Sequence, residues 1–339
     1  MKKDHLLLTL ATALVSSAML TGAKAQTVLS GDHVVEGDLE VGTALQRGGV
    51  TITGGTGDAA SPGLHVKGDG GVLFVGTSGT GAIPVEGAGT RMMWYPGKAA
   101  FRVGNLSESN STRWRDVEIG FSSVAFGESE AYGAYATAMG EGDAFGDHST
   151  AMSRGAASAK YSTAMSGGGT DGIYSTAMSK GFAFVESSTA MSHGLTEGFS
   201  STAVSSGWTR EGSDYSTAMS GGVTYGVYST GMSLGWAHNY GATAMSGGST
   251  FGVLSIAGGP VTSVAFRCAV FGSYNFASSE TPDEWVETDP IFVVGNGEDE
   301  YSPSNALVIL KNGNVEMMAK VKMPRQGDIL MGEFGNAEP

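Results

Sequence analysis

The sequence predicts an all-β chain: a parallel β-roll solenoid of about twelve 13-residue coils, flanked by irregular β modules. Three observations carry this. The triplet Thr-Ala-Met recurs, and anchoring on its central small residue gives positions 125, 138, 151, 164, 177, 190, 203, 218, 231, 244, 257 and 270; every interval is 13 residues except that from Ala203 to Ala218, which is 15. Within a unit, small residues take alternate places, as at Ser162, Ala164, Ser166, Gly168, Thr170 and Gly172, and period two means strand. Finally, 54 of 339 residues are Gly and only 15% are charged, a poor supply for a conventional enzyme core. Gly falls well short of the one in three that collagen needs, and the lone Cys268 excludes a disulfide scaffold.

Residues 1–25 read as a removable secretory signal: Lys2 and Lys3 precede an apolar run from Leu6 to about Leu20, and Ala23-Lys24-Ala25 offers a cleavage pattern. Removal takes away three basic side chains and one acid, leaving 16 Lys+Arg against 32 Asp+Glu. So acidic a chain is expected to bind no nucleic acid, since phosphate binding starts from a basic patch. No later segment is apolar enough for an integral membrane span. The expected location is secreted or on a bacterial cell surface.

Residues 26–120 form a Gly-rich β region with short strands expected at Val34–Val41, Val50–Ile52 and Gly71–Val75. Its aromatic-basic cluster, Gly89 to Lys98, is expected to cap the open end of the roll, because terminal repeats need protection.

Residues 121–273 are the repeat array. At about 3.3 Å per residue, 13 residues close a circuit of roughly 43 Å, room for two strands of about five residues and two turns. At about 4.8 Å per coil the array is a roll of roughly 55–60 Å. The small parity must face inward, because the other parity includes Arg154, Lys180, His193, Asp171, Glu197 and Arg210, which a thin tube cannot bury. One outer wall then carries a file of Met139, Met152, Met165, Met178, Met191, Val204, Met219, Met232 and Met245. A second file beside it includes Thr150, Thr163, Thr176, Thr189 and Thr217. A long apolar stripe marks an interface, and identical chains related by rotation can cover it. A homo-oligomer closed around this wall is expected. The opposite wall carries Phe182, Phe184, Trp208, Tyr225 and Trp236 with Arg210, residues that suit a protein or glycan contact surface or the groove between neighbouring chains. The two inserted residues lie within Arg210 to Asp214 and are expected to protrude as a loop.

Residues 274–339 form a C-terminal module. Ala306–Lys311, Asn312-Gly313 and Asn314–Met318 predict a hairpin on a type I′ turn.

The Ser-x-Ala-x-Ser coils at Ser162–Ser166, Ser175–Ser179 and Ser216–Ser220 resemble the head repeats of trimeric autotransporter adhesins, the YadA-like head family. That resemblance implies a left-handed roll, a homotrimer and surface attachment to a host or matrix protein or a glycan. The family usually has Val and Ile where this chain has Thr and Met, which softens the expected seam. Its heads continue into a coiled-coil stalk and a membrane barrel, whereas residues 274–339 show no sustained heptads. A protein that is released, or held by another component, is the corresponding expectation.

No catalysis and no cofactor or metal are expected. His148, His193 and His238 occupy different places in their coils and so do not stack into a metal cluster. Two other functions stay open: an ice- or crystal-surface binder using the Thr file, and a polysaccharide-acting fibre protein using carboxylates such as Glu141 and Asp143.

Overall fold

The computed structural model describes residues 72–277, 279 and 281–317. The expected signal at 1–25, the strands at 34–41 and 50–52, and everything from Met318 onward lie outside the described residues. The chain divides into units at Met1–Leu73 and Phe74–Pro339, and the second contains the whole repeat array.

That array is a parallel β-solenoid. Its first wall has twelve rungs, from Val124–Gly127 through Thr163–Met165 to Ala269–Ser273, each paired in parallel with the rung one coil away. Its second wall has eleven, from Glu130–Ala131 to Thr262–Ser263. Like residues stand on like: Thr176 pairs with Thr163 and Thr189, and Met178 with Met165 and Met191. The rungs are three residues long on most of the first wall and two on the second, shorter than the five expected. Two corners take up the remainder of each coil.

The first corner explains why parity survives from one wall to the next. Met165-Ser166-Gly167-Gly168 closes with Gly168 N–H on the Met165 carbonyl at 3.0 Å, and both central residues have positive φ, 52° and 74°. Two residues are thereby turned outward, and the inward series resumes at Gly168. Ser166, expected inside, is exposed for this reason. One coil on, the same left-handed pair is Ser179-Lys180, at 51° and 62°, a conformation that costs a non-glycine residue roughly 1–3 kcal/mol. Amide bonds between coils hold it: Ser179 N–H donates to Met165 O and Lys180 N–H to Ser166 O, at 3.2 and 3.1 Å. Backbone pairing therefore continues round the corner.

The tube interior is small and hydroxylated. Ala164, Ala177 and Ala190 are fully buried, as are Ser162, Thr170, Thr196 and Thr209. A buried hydroxyl needs a partner. Ser162 Oγ donates to Ala159 O at 2.7 Å, and Thr170 Oγ1 donates across the tube to Ser162 Oγ at 2.9 Å. Ser201 and Thr209, and Ser216 and Thr224, repeat that crossing at 2.9 Å. The second corner leaves no room for a side chain at Gly172, where a Cβ would stand 2.0 Å from the Val185 carbonyl of the next coil.

Both ends of the roll carry a cap that prolongs the first wall. At the start, Gly89–Tyr95 pairs antiparallel with Ala100–Leu106, which lies parallel on Val124–Gly127. Met93 and Tyr95 from the expected capping segment are buried with Leu106, Trp114 and Ile119. The tube mouth itself is filled from elsewhere. Arg102 is fully buried and donates to Ser123 O, Ser123 Oγ and Ala131 O at 3.0, 2.7 and 3.0 Å, while Trp114 Nε1 donates to Ser129 O at 2.9 Å. The strand expected at Gly71–Val75 is absent from its described part, where residues 72–75 are exposed and irregular.

At the far end, Pro290–Asn296 lies parallel on Ala269–Ser273 and antiparallel to Asn305–Leu310, which forms a hairpin with Val315–Met317. The turn differs from expectation. Gly313 takes φ 89°, Asn312 does not enter the left-handed region, and Gly313 N–H bonds Leu310 O at 3.0 Å. This is a type I turn closed by a glycine bulge. Lys311 buries its side chain completely here, 3.7 Å from Asp289 and over the Trp285 ring. Burial pushes the neighbouring Cys268 thiol up to about 11.

Candidate functional site: two walls of unlike character

On the first wall each central Ala is buried and its Thr and Met neighbours face outward. Met152, Met165, Met178, Met191, Val204, Met219, Met232 and Met245 are half-buried against one another; Met139 is more exposed, at 38%. Thr150, Thr163, Thr176, Thr189 and Thr217 flank them, equally half-buried. Phe126 stands on Met139, and Phe271 follows Gly258, so an aromatic ring closes the file at each end. All fourteen residues expected at the seam share this one surface.

The second wall changes along its length. Its early coils present Glu130, Asp143, Ala156, Ser158 and Asp171. Asp143 is held by Arg113 at 2.6 Å, and its pKa is nonetheless raised by burial. Glu141 pairs with Arg154 at the first corner and Asp147 with Lys160 at the second. These carboxylates therefore face different partners at different places and do not converge. Among the described residues no group of three or more His, Cys, Asp or Glu comes together as a metal site.

From the coil of Phe182 onward the wall becomes aromatic, and the structure brings the six expected contact residues onto it. Two columns run side by side. In one, rings alternate with aliphatic residues: Phe182, Leu195, Trp208, Val223 and Trp236 stand in register. In the other, the Arg210 guanidinium lies 3.4 Å over the Trp208 ring and 5.5 Å over Tyr225. Tyr225, His238 and Phe251 continue that column, stacked at 4.7 and 4.3 Å. Burial between two rings pushes the His238 imidazole below its usual pKa. Phe182, Phe184, Trp236 and Phe251 remain more than 40% exposed. Along the Tyr225 column the ring faces cover one another, so this part of the sector turns ring edges to solvent. Edges carry the positive part of the ring quadrupole.

Beside this sector sits a groove of about 730 Å³ lined by Phe184, Val185, Phe199, Glu197, Glu211 and Asp214. The 15-residue coil builds one side of it. The insertion protrudes less than expected: Ser213 is fully buried in the tube, Asp214 Oδ1 accepts the Phe199 N–H at 2.8 Å, and only Glu211 and Gly212 form an exposed tip.

A third surface was not anticipated. At the second corner Tyr135, His148, Tyr161 and Tyr174 stack at 4.7, 4.9 and 5.0 Å, and Tyr215 and Tyr228 at 5.1 Å, all with φ between 55° and 59°. The signal was present in the order of residues, since an aromatic often precedes Ser-Thr-Ala-Met. His193 sits exposed at the first corner, so the three array histidines occupy three different surfaces.

Comparison of the chain with protein-family models, curated proteins and solved structures finds no match. Among the described residues no helix is long and apolar enough to cross a membrane.

Proposed function

We propose that this chain is a secreted or surface-exposed, homotrimeric adhesin-like protein of the YadA-like head type. Three copies close around the Thr/Met wall, and the second wall faces outward to a host or matrix protein or a glycan. The observation that carries the reading is the unbroken outward file from Met139 to Met245, one side chain per coil and, from Met152 on, half-buried. Burying a Met side chain stabilises by roughly 1.5–3 kcal/mol. Eight such residues and one Val supply a strong apolar drive to association, and rotation-related copies place like rungs against like. Sedimentation equilibrium of the intact protein tests this: a mass three times that of the chain at micromolar concentration is expected, and a monomer would sink the proposal.

One observation favours a second reading. The Thr file is in strict register, Thr163 on Thr176 on Thr189, as a lattice-matching ice- or crystal-surface binder would need. That reading requires the wall to face water, so a trimer burying Thr176 together with an absence of thermal hysteresis would dismiss it.

A further inference from the structure

We propose that the groove beside the insertion binds a lysine or arginine side chain from a basic polypeptide partner. The inference rests on reading the second wall as the presenting surface, but not on assembly through the first. Its lining joins the apolar side chains of Phe184, Val185 and Phe199 to the carboxylates of Glu197, Glu211 and Asp214. A basic side chain has the matching shape: an apolar stem that packs on rings and a cationic head that seeks carboxylate. Among the described residues no ion pair engages these three acids. The contrast with Glu141, Asp143 and Asp147 is direct, since each of those already holds a cation of this chain.

Two further features set the groove apart from a solvated acidic face. It lies where the 13-residue period is broken, and the added residues do not disturb the rungs: Thr202 still pairs with Thr217 and Trp208 with Val223. The roll thus accommodates the insertion with its rungs in register, while Glu211 and Gly212 at the tip wall the groove. The carboxylates are also placed rather than loose. Glu197 Oε2 accepts the Trp208 Nε1–H at 3.1 Å, and Asp214 Oδ1 is fixed on the Phe199 amide. A cation seated on Glu197 would stand beside the indole that donates to the same carboxylate, which makes Trp208 an internal reporter.

The experiment titrates the intact protein with deca-lysine, following tryptophan emission and calorimetry at low and at physiological salt. Deca-glutamate and a neutral chito-oligosaccharide serve as comparison probes. Saturable binding of deca-lysine with a change in emission is expected. The Glu197→Gln and Glu211→Gln variants, and deletion of Glu211 with Gly212, should each weaken it at least tenfold. The exposed Glu300→Gln, which removes the same charge elsewhere, should leave it unchanged. Equal weakening by Glu300→Gln would reduce the effect to net charge and overturn the proposal. So would binding of the oligosaccharide alone. Sedimentation of the same samples reports assembly separately, so loss of the groove and loss of the trimer are distinguishable.

Discussion

The two walls of the roll share a backbone and differ in what they vary. On the first, coil after coil repeats Thr-Ala-Met, and nine successive rungs from Thr137–Gly140 to Thr243–Met245 depart from it only at Val204 and Gly231. On the second, the outward places run from Asp143 and Ala156 through Gly169 to Phe182, Trp208 and Trp236. Inside the tube both walls obey one constraint, since a narrow bore favours Ala, Ser, Thr and Gly, and the larger Val261, Cys268 and Val270 enter in the last coil. Outside it they are free. A surface that stays the same at every level suits contact with further copies of itself, whereas one that changes along its length suits an unlike partner.

The hardest test of this contrast places charge on the uniform wall. Replacing Met165 and Met178 together by Asp should dissociate the proposed trimer to monomers in sedimentation, because like charges would then face one another across its seam. Replacing Phe182 and Trp236 together by Ser should leave the proposed trimer intact. The reverse pattern would exchange the roles of the walls.

A second test concerns the mouth of the tube, where Arg102 bonds Ser123 ahead of the first-wall rung and Ala131 on the second. The Arg102→Met variant removes the charge-assisted bonds and leaves Ser123 O and Ala131 O only the Phe101 and Gly120 amides, at a cost on the order of 1–3 kcal/mol. Hydrogen exchange should show both walls fraying together over the first coils while the distant coils keep their protection, as a quasi-one-dimensional array requires.

Adjacent residues offer a third test, of side-chain direction. Ala177→Leu overfills the bore and should destabilise by about 1–3 kcal/mol. Met178→Leu, one residue on and facing out, should cost less than about 1.5 kcal/mol in thermal unfolding. Equal costs would contradict the inward and outward assignment.

The smallest effect is expected at His238. Its pKa is depressed by burial in the ring column, so the unfolded chain takes up the proton first as pH falls. Stability contributed by this residue is present above the unfolded value, near 6.5, and is lost as pH drops from there toward the folded value. His238→Phe keeps a flat ring in the column and should remove that part of the acid dependence, as read by denaturant midpoints at successive pH values.

Much of this was legible in residue order. The 13-residue spacing announced the coil, and charge at Arg154 and Lys180 told which parity faces water. Local pattern failed where contacts cross between coils. Ser166 follows the small-residue alternation yet turns out, because the corner demands two left-handed residues. Asn312-Gly313 signals a type I′ turn, yet the strand register imposed a glycine bulge instead. Nothing around Arg102 or Lys311 marks them for burial, since Ser123 and Asp289, which they meet, lie more than twenty residues away.

Coil length, inward parity and the unlike composition of the two walls follow from order alone, because a repeat closing on itself every 13 residues leaves each position one neighbour above and one below. The stacking of His148 between Tyr135 and Tyr161, the use of ring faces by one another from Tyr225 to Phe251, the filled first mouth of the tube and the groove beside Glu211 exist only in the folded chain. Each depends on the distance between side chains of different coils, and backbone pairing sets that distance.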